Sequence, residues 1–487
     1  MVKFNQKLQS ILLKPGILQK EDLNCVSVRL SEIQERGKRL DASYYGIEGR
    51  KARQIIDRSP YPKVTLFGKN GFAQRVYHFP RFRRIFVEDG IPIFTASQIL
   101  DLIPVPKKFV SIKTKTDLNA LSLKEHQIVV TCSGTIGFCT IVTETLKNKV
   151  FSHDLIRIEC TDPKEIGYIY AFLKTGIGHK TLTTSNYGSV VTHIEPEHFA
   201  DIIVPKLPDD VRKKIHETVM HSFKLRDEIN KLLKQADELL FERLKLPSLK
   251  DLKPQYLNEK DDLRVFSLRV GNWQKRIDGS FHLPIINEII KQFKKSPMEL
   301  TTIGDKRVSK KIILPGRFKR VYVNEEYGMP FLSSGDILQF DPAQVKYLST
   351  TYHSKRIREH LLLQENMILV TCSGTIGNVV LVPKHFDGLT ASQHVLRIVP
   401  SKEINPGYIY AFLASNYGKE LIKRFTYGSV VDEIDDKQLA SVEFPLPPKK
   451  AQDEIGNLVL DANKKWTEAY KLEKAAIAEV ETQITQK

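Results

Sequence analysis

The sequence predicts an α/β (α+β) chain of two tandem mixed α/β domains, each followed by a long helix. Three observations predict it. Blocks of sequence return at a fixed shift, each copy runs out into a long stretch with one apolar stripe (the first, 211–244, free of Pro and Gly), and short β-rich runs precede that stretch.

The repeat is explicit. Val130-Thr-Cys-Ser-Gly-Thr-Ile-Gly137 returns as Val370-Thr-Cys-Ser-Gly-Thr-Ile-Gly377, a shift of 240. Gly167-Tyr-Ile-Tyr-Ala-Phe-Leu173 returns as Gly407-Tyr-Ile-Tyr-Ala-Phe-Leu413, and Tyr187-Gly-Ser-Val-Val191 as Tyr427-Gly-Ser-Val-Val431, at the same 240. Weaker echoes lie upstream. Arg39-Leu-Asp-Ala-Ser-Tyr44 parallels Arg276-Ile-Asp-Gly-Ser-Phe281 at 237, Arg81-Phe-Arg-Arg84 parallels Arg317-Phe-Lys-Arg320 at 236, and Pro92-Ile-Phe-Thr95 parallels Pro330-Phe-Leu-Ser333 at 238. Insertions and deletions therefore fall in the first part of each unit, while the second part stays in register.

The elements follow in order. Residues 127–131, 140–143 and 155–159 read as strands, and a helix is expected near 166–175. After Pro205-Lys-Leu-Pro208, residues 211–244 carry Ile215, Val219, Leu225, Ile229, Leu232, Ala236 and Leu239 at helical spacing, with Asp209 as N-cap and Asp210 as a first-turn acid. After Pro445-Leu-Pro-Pro448 the second helix carries Ile455, Val459, Ala462, Trp466, Ala469, Ala476, Val480 and Ile484. Ser222 and Glu473 interrupt the stripes, which suits a short, imperfect coiled coil; a helix packing on its own domain is the alternative. The domain limits are then 1–208, helix 209–246, 247–448 with a Pro- and charge-rich linker at 247–262, and helix 449–487.

Length, charge and cysteines bound the function. At 487 residues the chain has material for several buried cores. A net charge of +17 and a pI near 9.4 favour a polyanionic partner over a merely solvated basic face. The apolar stretch at 11–13 is cut off by Lys14 and Pro15, and no uncharged apolar run reaches about 18 residues, so neither an export signal nor a membrane span is expected. Five cysteines without CxxC spacing (Cys25, Cys132, Cys139, Cys160, Cys372) fit buried free thiols in a reducing cytoplasm.

These motifs, in this order and duplicated, resemble the specificity subunit of type I restriction-modification systems. The residues that carry the resemblance are the Ser-Gly-Thr-Ile-Gly blocks (133–137, 373–377), the Tyr-Gly-Ser blocks (187–189, 427–429), and the strands Ile202-Ile-Val-Pro205 and Val442-Glu-Phe-Pro445 leading into helices. One departure is the helix start. Where the family often has a Glu-Gln pair, this chain has Asp210-Val-Arg212 and Ala451-Gln-Asp453. The resemblance implies two target-recognition domains held apart by an antiparallel coiled coil. It implies double-stranded DNA as ligand, two methyltransferase subunits docked on the helices, and restriction/translocase subunits beyond them. S-adenosylmethionine, ATP and Mg would sit on those partners, with no cofactor here. Type IIB-like systems use a similar subunit, and the sequence does not separate the two.

Basic charge concentrates in the part of each unit where the offset slips. Residues 63–124 hold eleven Lys/Arg against four acids, and residues 306–358 again eleven against four. Such charge neutralises phosphates irrespective of sequence, whereas base edges are read by Arg, Gln, Asn or Lys reaching into a groove. The candidate contacts in the first unit are Lys69, Gln74, Arg75, Tyr77, His78, Arg81, Arg83, Arg84, Lys107, Lys108, Asn186 and Tyr187. In the second they are Arg307, Lys310, Lys311, Arg317, Lys319, Arg320, Tyr347, Lys355, Arg356 and Tyr427. Because the two segments differ, each domain is expected to read a different half of a bipartite, asymmetric target. Any one of these side chains is, taken alone, as readily a solvated surface residue as a contact.

Catalytic chemistry is not evident. The Ser-Gly-Thr-Ile-Gly loops lack the Lys-Ser/Thr of a phosphate-binding loop and read as strand-to-strand turns. Cys132 and Cys372 share no base: His153 aligns with Gln393, and His394 is one place out of register. No HExxH or metal-type clustering is present. Asn405-Pro-Gly-Tyr408 lacks the second proline of an amino-methyltransferase motif, and Pro208-Asp-Asp210 runs straight into a helix rather than a nuclease core. The rivals to a recognition subunit are a self-sufficient DNA-modifying enzyme with divergent motifs and a scaffold that does not read sequence.

Overall fold

The computed structural model describes residues 28–35, 45–184, 192–252, 254, 265–269, 271, 276–296, 298–428 and 430–486. The echo at 39–44, Asn186 and Tyr187 with the rest of 185–191, Cys25 and most of the 247–262 linker lie outside them.

Among the described residues, ten strands form in each unit. The first has β1 (Lys63–Thr65), β2 (Ala73–Tyr77), β3 (Phe86–Val87), β4 (Ile91–Phe94), β5 (Lys108–Val110), β6 (Gln127–Thr131), β7 (Cys139–Ile141), β8 (Val150–Phe151), β9 (Leu155–Cys160) and β10 (Ile203–Pro205). The second has β11 (Glu299–Thr302), β12 (Ser309–Ile313), β13 (Tyr322–Val323), β14 (Gly328–Leu332), β15 (Lys346–Ser349), β16 (Ile368–Thr371), β17 (Val379–Leu381), β18 (Thr390–Ala391), β19 (Val395–Pro400) and β20 (Glu443–Leu446). The sheets correspond one for one. β2-β9-β6-β7 matches β12-β19-β16-β17, β3-β5-β4-β8 matches β13-β15-β14-β18, and β1-β10 matches β11-β20. The repeat is therefore complete, including the part where sequence barely shows it.

The slipping offset has a structural cause. β3 and β13 align at 236, but the turn to the next strand is two residues longer in the second unit, so Ile93 and Phe331, which both pair with the equivalent strand, align at 238. The β5–β6 connection differs by two more residues, because α6 (Thr350–Arg356) occupies that stretch of the second unit. From β6 and β16 onward the shift is 240.

Among the described residues, eight helices of eight residues or more join these elements: α1 (Ile47–Arg58), α2 (Ile166–Lys174), α3 (Gly176–Thr183), α4 (Asp209–Leu244), α5 (Pro284–Lys295), α7 (Pro406–Ala414), α8 (Asn416–Lys423) and α9 (Lys449–Thr485). The repeated Gly-Tyr-Ile-Tyr-Ala-Phe-Leu block is explained here. A Cβ on Gly407 would come within 2.2 Å of the Gly456 carbonyl oxygen, so glycine lets α7 cross α9 backbone to backbone, as Gly167 does against His216 on α4. The next residue, Tyr408, donates its hydroxyl to the Pro445 carbonyl at 2.8 Å, and Tyr168 does the same to Pro205.

The two long helices run antiparallel against each other. Ser222 Oγ donates to the Ala469 carbonyl (2.8 Å), Lys465 meets Glu228 (2.7 Å), and Arg243 meets Glu454 (2.7 Å). Ile215, Val219, Leu225, Ile229, Ala236, Ile455, Val459, Ala462, Trp466, Ala469 and Val480 are buried, whereas Leu232 and Leu239 are only half-buried. Phe223, Leu240 and Leu244 join the stripe. Each fully buried side chain of this kind contributes roughly 1.5–3 kcal/mol, an exposed i,i+4 ion pair only about 0.3–0.5. The stripe decides the pairing.

One sequence expectation is corrected and two readings of the helices are decided. Pro208 is the N-cap of α4, and Asp209, already in the first turn, turns back to Arg212 instead of capping. Ser222 and Glu473 do not break the stripes; both are fully buried and bonded across the helix pair. Nor does each helix pack on its own domain alone. The first domain's core takes in Ala476, Val480 and Ile484 from the end of α9, and the second domain's core takes in Ala236, Leu240 and Leu244 from the end of α4. Each domain is thus closed by the far end of the other unit's helix.

The domains also touch directly. Leu102 N–H donates to the Leu338 carbonyl (2.9 Å) and Phe340 N–H to the Leu100 carbonyl (2.8 Å). Leu338 and Phe340 are the repeat equivalents of Leu100 and Leu102. The two bonds are reciprocal, as they are on a two-fold axis, so the chain is folded about an internal pseudo-dyad.

Candidate nucleic-acid interface

In each unit four segments converge beside the sheet that begins with β2 or β12. The Ser-Gly-Thr-Ile-Gly turn links β6 to β7 and β16 to β17, with Gly134, Gly137, Gly374 and Gly377 at φ between 71° and 84°, where side chains are disfavoured. It is the strand-to-strand turn that the sequence predicts. Its first residues are tied to the loop before the next strand and to the segment after the third helix. Cys132 N–H bonds the Asp154 carbonyl (3.2 Å), Gly134 N–H bonds Thr192 (3.0 Å), and Ile194 N–H bonds Cys132 (3.1 Å). The second unit repeats all three with Cys372 to His394 (3.0 Å), Gly374 to Asp432 (2.9 Å) and Ile434 to Cys372 (3.1 Å).

The fourth segment is the basic stretch. A bulge between Ala73 and Arg75, and again between Ser309 and Lys311, breaks strand alternation at the same place in both units. It turns two successive side chains outward, so Gln74 with Arg75 and Lys310 with Lys311 are all exposed. Arg75 lies 4.6 Å from the Tyr77 ring centre and 3.5 Å from Glu159, and the Tyr77 hydroxyl donates to Glu159 at 3.0 Å. His78 follows, meeting Glu195 at 2.8 Å. Arg81, Arg83 and Arg84, and opposite them Lys319 and Arg320, are exposed on the extended run to β3 or β13. Arg317 is exposed too, but its guanidinium binds Glu433 at 2.6 Å. Lys69 sits exposed in the turn before β2.

The remaining candidates are spread more widely, some of them on the distal sheets β3-β5-β4-β8 and β13-β15-β14-β18. Lys107 and Lys108 are exposed at β5, and Tyr347 is half-buried on β15. Lys355 is exposed on α6, while Arg356 donates to the Gly316 carbonyl (3.2 Å) and stacks 4.7 Å from Phe318. Tyr427 is 44% exposed at the base of a short hairpin closed on Glu433. Arg307 does not join the surface as a free cation. It is held in a fork by Glu299 (2.6 Å) and Asp305 (2.7 Å), whose carboxyls its hydrogen bonds in turn hold below their usual range.

His153 and His394 border this surface, both shifted down by burial and by neighbouring arginines. Burial pushes the Cys132 and Cys372 thiols up to about 12, far from a thiolate nucleophile. No three His, Cys, Asp or Glu side chains converge as metal ligands among the described residues, and no described helix is long and apolar enough to cross a membrane.

What sequence reasoning missed are the exposed aromatics of the distal sheets, Phe86 and Tyr322, and Lys346 beside the latter. Nothing in a two-residue strand marks its ring as exposed.

Comparison with known proteins bears on the second unit. Residues 309–481 match the family model described as the type I restriction modification DNA specificity domain. No curated protein matches the chain. Among solved structures, the type I restriction-modification S subunit from M. genitalium is 13% identical with a TM-score of 0.34, covering 88% of this chain and 96% of that one. The HsdS subunit from Thermoanaerobacter tengcongensis is 11% identical with a TM-score of 0.28, covering 84% and 96%. The family match spans β12 to most of α9, and the resemblance to type I restriction-modification specificity subunits rests on it.

Proposed function

We propose that the chain is the DNA sequence-recognition subunit of a type I restriction-modification complex, without catalysis of its own. Each domain reads one half of a bipartite, asymmetric target, and the helices dock methyltransferase subunits, with restriction/translocase subunits joining them. The observation that carries this reading is the pairing of an identical scaffold with differently written readers. The Ser-Gly-Thr-Ile-Gly turns, the bulges and the sheet orders coincide in both domains, while Gln74, Arg75 and Tyr77 stand where Lys310, Lys311 and Ile313 stand. A 36-residue helix spans about 54 Å at 1.5 Å per residue, more than one DNA turn of about 34 Å. The two half-sites are therefore separated by a spacer that neither domain reads.

Selection from random duplexes, with the methyltransferase partner present, tests this. The expected result is two dissimilar half-sites at a fixed spacing. One short contiguous palindrome overturns it, and methyl transfer by the purified chain alone overturns the non-catalytic assignment.

A further inference from the structure

The distal sheet of each domain ends in an edge strand that faces solvent with an aromatic ring. Phe86 on β3 is 47% exposed and Tyr322 on β13 is 40% exposed. A lysine from the next strand lies over each ring: Lys108 Nζ is 4.7 Å from the Phe86 ring centre, and Lys346 Nζ is 5.2 Å from that of Tyr322. The register is the same in both, since Phe86 faces Val110 and Tyr322 faces Leu348, which places each lysine on the diagonal two residues away. Each edge is pinned at the same point, Ser111 N–H to Ile85 (2.8 Å) and Ser349 N–H to Val321 (2.9 Å). The match is invisible in sequence, because the ring shifts by 236 and the lysine by 238.

An exposed ring on a sheet edge loses apolar burial, and an edge without a charged guard invites unwanted pairing. Keeping that arrangement twice, in domains where Gln74, Arg75 and Tyr77 are replaced by Lys310, Lys311 and Ile313, points to one shared task. We propose that Phe86 with Lys108, and Tyr322 with Lys346, are the sequence-blind anchors of the two domains on duplex DNA. The ring packs against a deoxyribose or base edge, and the lysine, held over the ring, takes the adjacent phosphate. This rests on the reading of the chain as a DNA-recognition subunit and adds which residues hold the duplex irrespective of its bases. The Gln74–Arg75 and Lys310–Lys311 pairs, which differ, are left to discriminate.

The full chain with its methyltransferase partner, bound to the selected target, decides it. Phe86→Ala and Tyr322→Ala are each expected to weaken binding about tenfold, the effect of losing the burial of one half-exposed ring, with base preferences at both half-sites unchanged. Lys108→Ala and Lys346→Ala should each lower the slope of log K against log salt by about 0.9. Phe86→Tyr and Tyr322→Phe should restore affinity, and none of these exposed changes should alter unfolding. Affinity within twofold of wild type in both ring variants overturns the proposal, as does a loss confined to particular bases. A wild-type complex that binds no duplex sinks the DNA-recognition reading itself, and this inference with it.

Discussion

Two corners of the molecule, exchanged by the pseudo-dyad, share one backbone and are filled in opposite ways. In one, the carboxylate of buried Glu473 meets Arg226, Lys174 (3.3 Å) and the Tyr170 hydroxyl (3.0 Å), while Asp341 meets Lys174 (3.4 Å) and Lys474 (2.9 Å). Four elements are joined there: both long helices, α2 of the first domain and the 336–345 region of the second. In the other corner the equivalents of Glu473, Arg226, Lys174 and Asp341 are Leu233, Trp466, Ala414 and Ile103. All four line a cleft of about 540 Å³, into which Tyr410, the counterpart of Tyr170, also opens. Duplication preserved the hydrogen-bonded frame, and side chains diverged where the frame did not depend on them. The charged corner fixes the register of helices and domains, since a buried charge tolerates only positions where its partners are. The apolar corner tolerates slack.

The comparison can be broken most severely at Glu473. Glu473→Leu copies the opposite corner at one position and leaves Arg226 and Lys174 buried without their shared partner; urea unfolding of the full chain should show a loss of about 3–5 kcal/mol. Copying all four positions together (Lys174→Ala, Arg226→Trp, Asp341→Ile, Glu473→Leu) leaves no charge stranded and should lose clearly less. Equal losses would mean that volume and not charge governs the corner.

The next effect depends on pH. His385 stacks on Tyr470 (4.4 Å between ring centres) and lies 3.2 Å from the Thr467 hydroxyl. Its counterpart in the first unit is Thr145, which donates to Asp227 (2.6 Å). Burial brings His385 down to about 4. The unfolded chain takes up this proton near pH 6.5 and the native one only near pH 4, so acid favours unfolding across that window. The loss begins as pH falls through about 6.5 and reaches at most about 3 kcal/mol near pH 4. Unfolding midpoints of wild type and His385→Phe, measured from pH 7 to 4, should diverge over that range; parallel curves would remove His385 from the account.

Two smaller tests sharpen the contrast. Ser222 has Ala462 as its counterpart, so Ser222→Ala makes the corners alike and should cost about 1 kcal/mol through the Ala469 carbonyl it deserts. Ala414→Leu enters the cleft and should change stability by less than about 1 kcal/mol, whereas added bulk in a filled core typically costs 1–3. A larger penalty, seen in the same denaturation series, would show that the cleft is narrower than its volume implies.

How much of this could be read beforehand varies along the chain. The repeat from 127 onward was legible because buried strands and backbone contacts restrict residue choice: Gly167 and Gly407 admit nothing larger, and Tyr168 and Tyr408 close the same bond. The long helices were legible from their stripes. The early strands were not, since β3 and β13 hold two residues each and lie on a solvent-facing edge, where almost any side chain fits. The reading residues were found as a basic stretch but not as a surface, because the bulges that turn Gln74–Arg75 and Lys310–Lys311 outward leave no mark in composition. Glu473 was misread for the opposite reason. A lone acid in an apolar stripe looks like a flaw until its partners, 247 and 299 residues away at Arg226 and Lys174, are brought beside it.

The exchange of helix ends between the domains has a consequence for the order of folding. The core of the first domain is completed by Ala476, Val480 and Ile484, which a ribosome adds more than 250 residues after β10. A nascent chain that has just finished α4 therefore holds a domain whose sheets are paired but whose helical face is bare. Closing it is a contact between the most distant parts of the sequence, the slowest kind to form. The second domain, by contrast, finds its borrowed residues on α4 already made. The two halves of a symmetric molecule are thereby assembled in an unsymmetric sequence, the first waiting for the second.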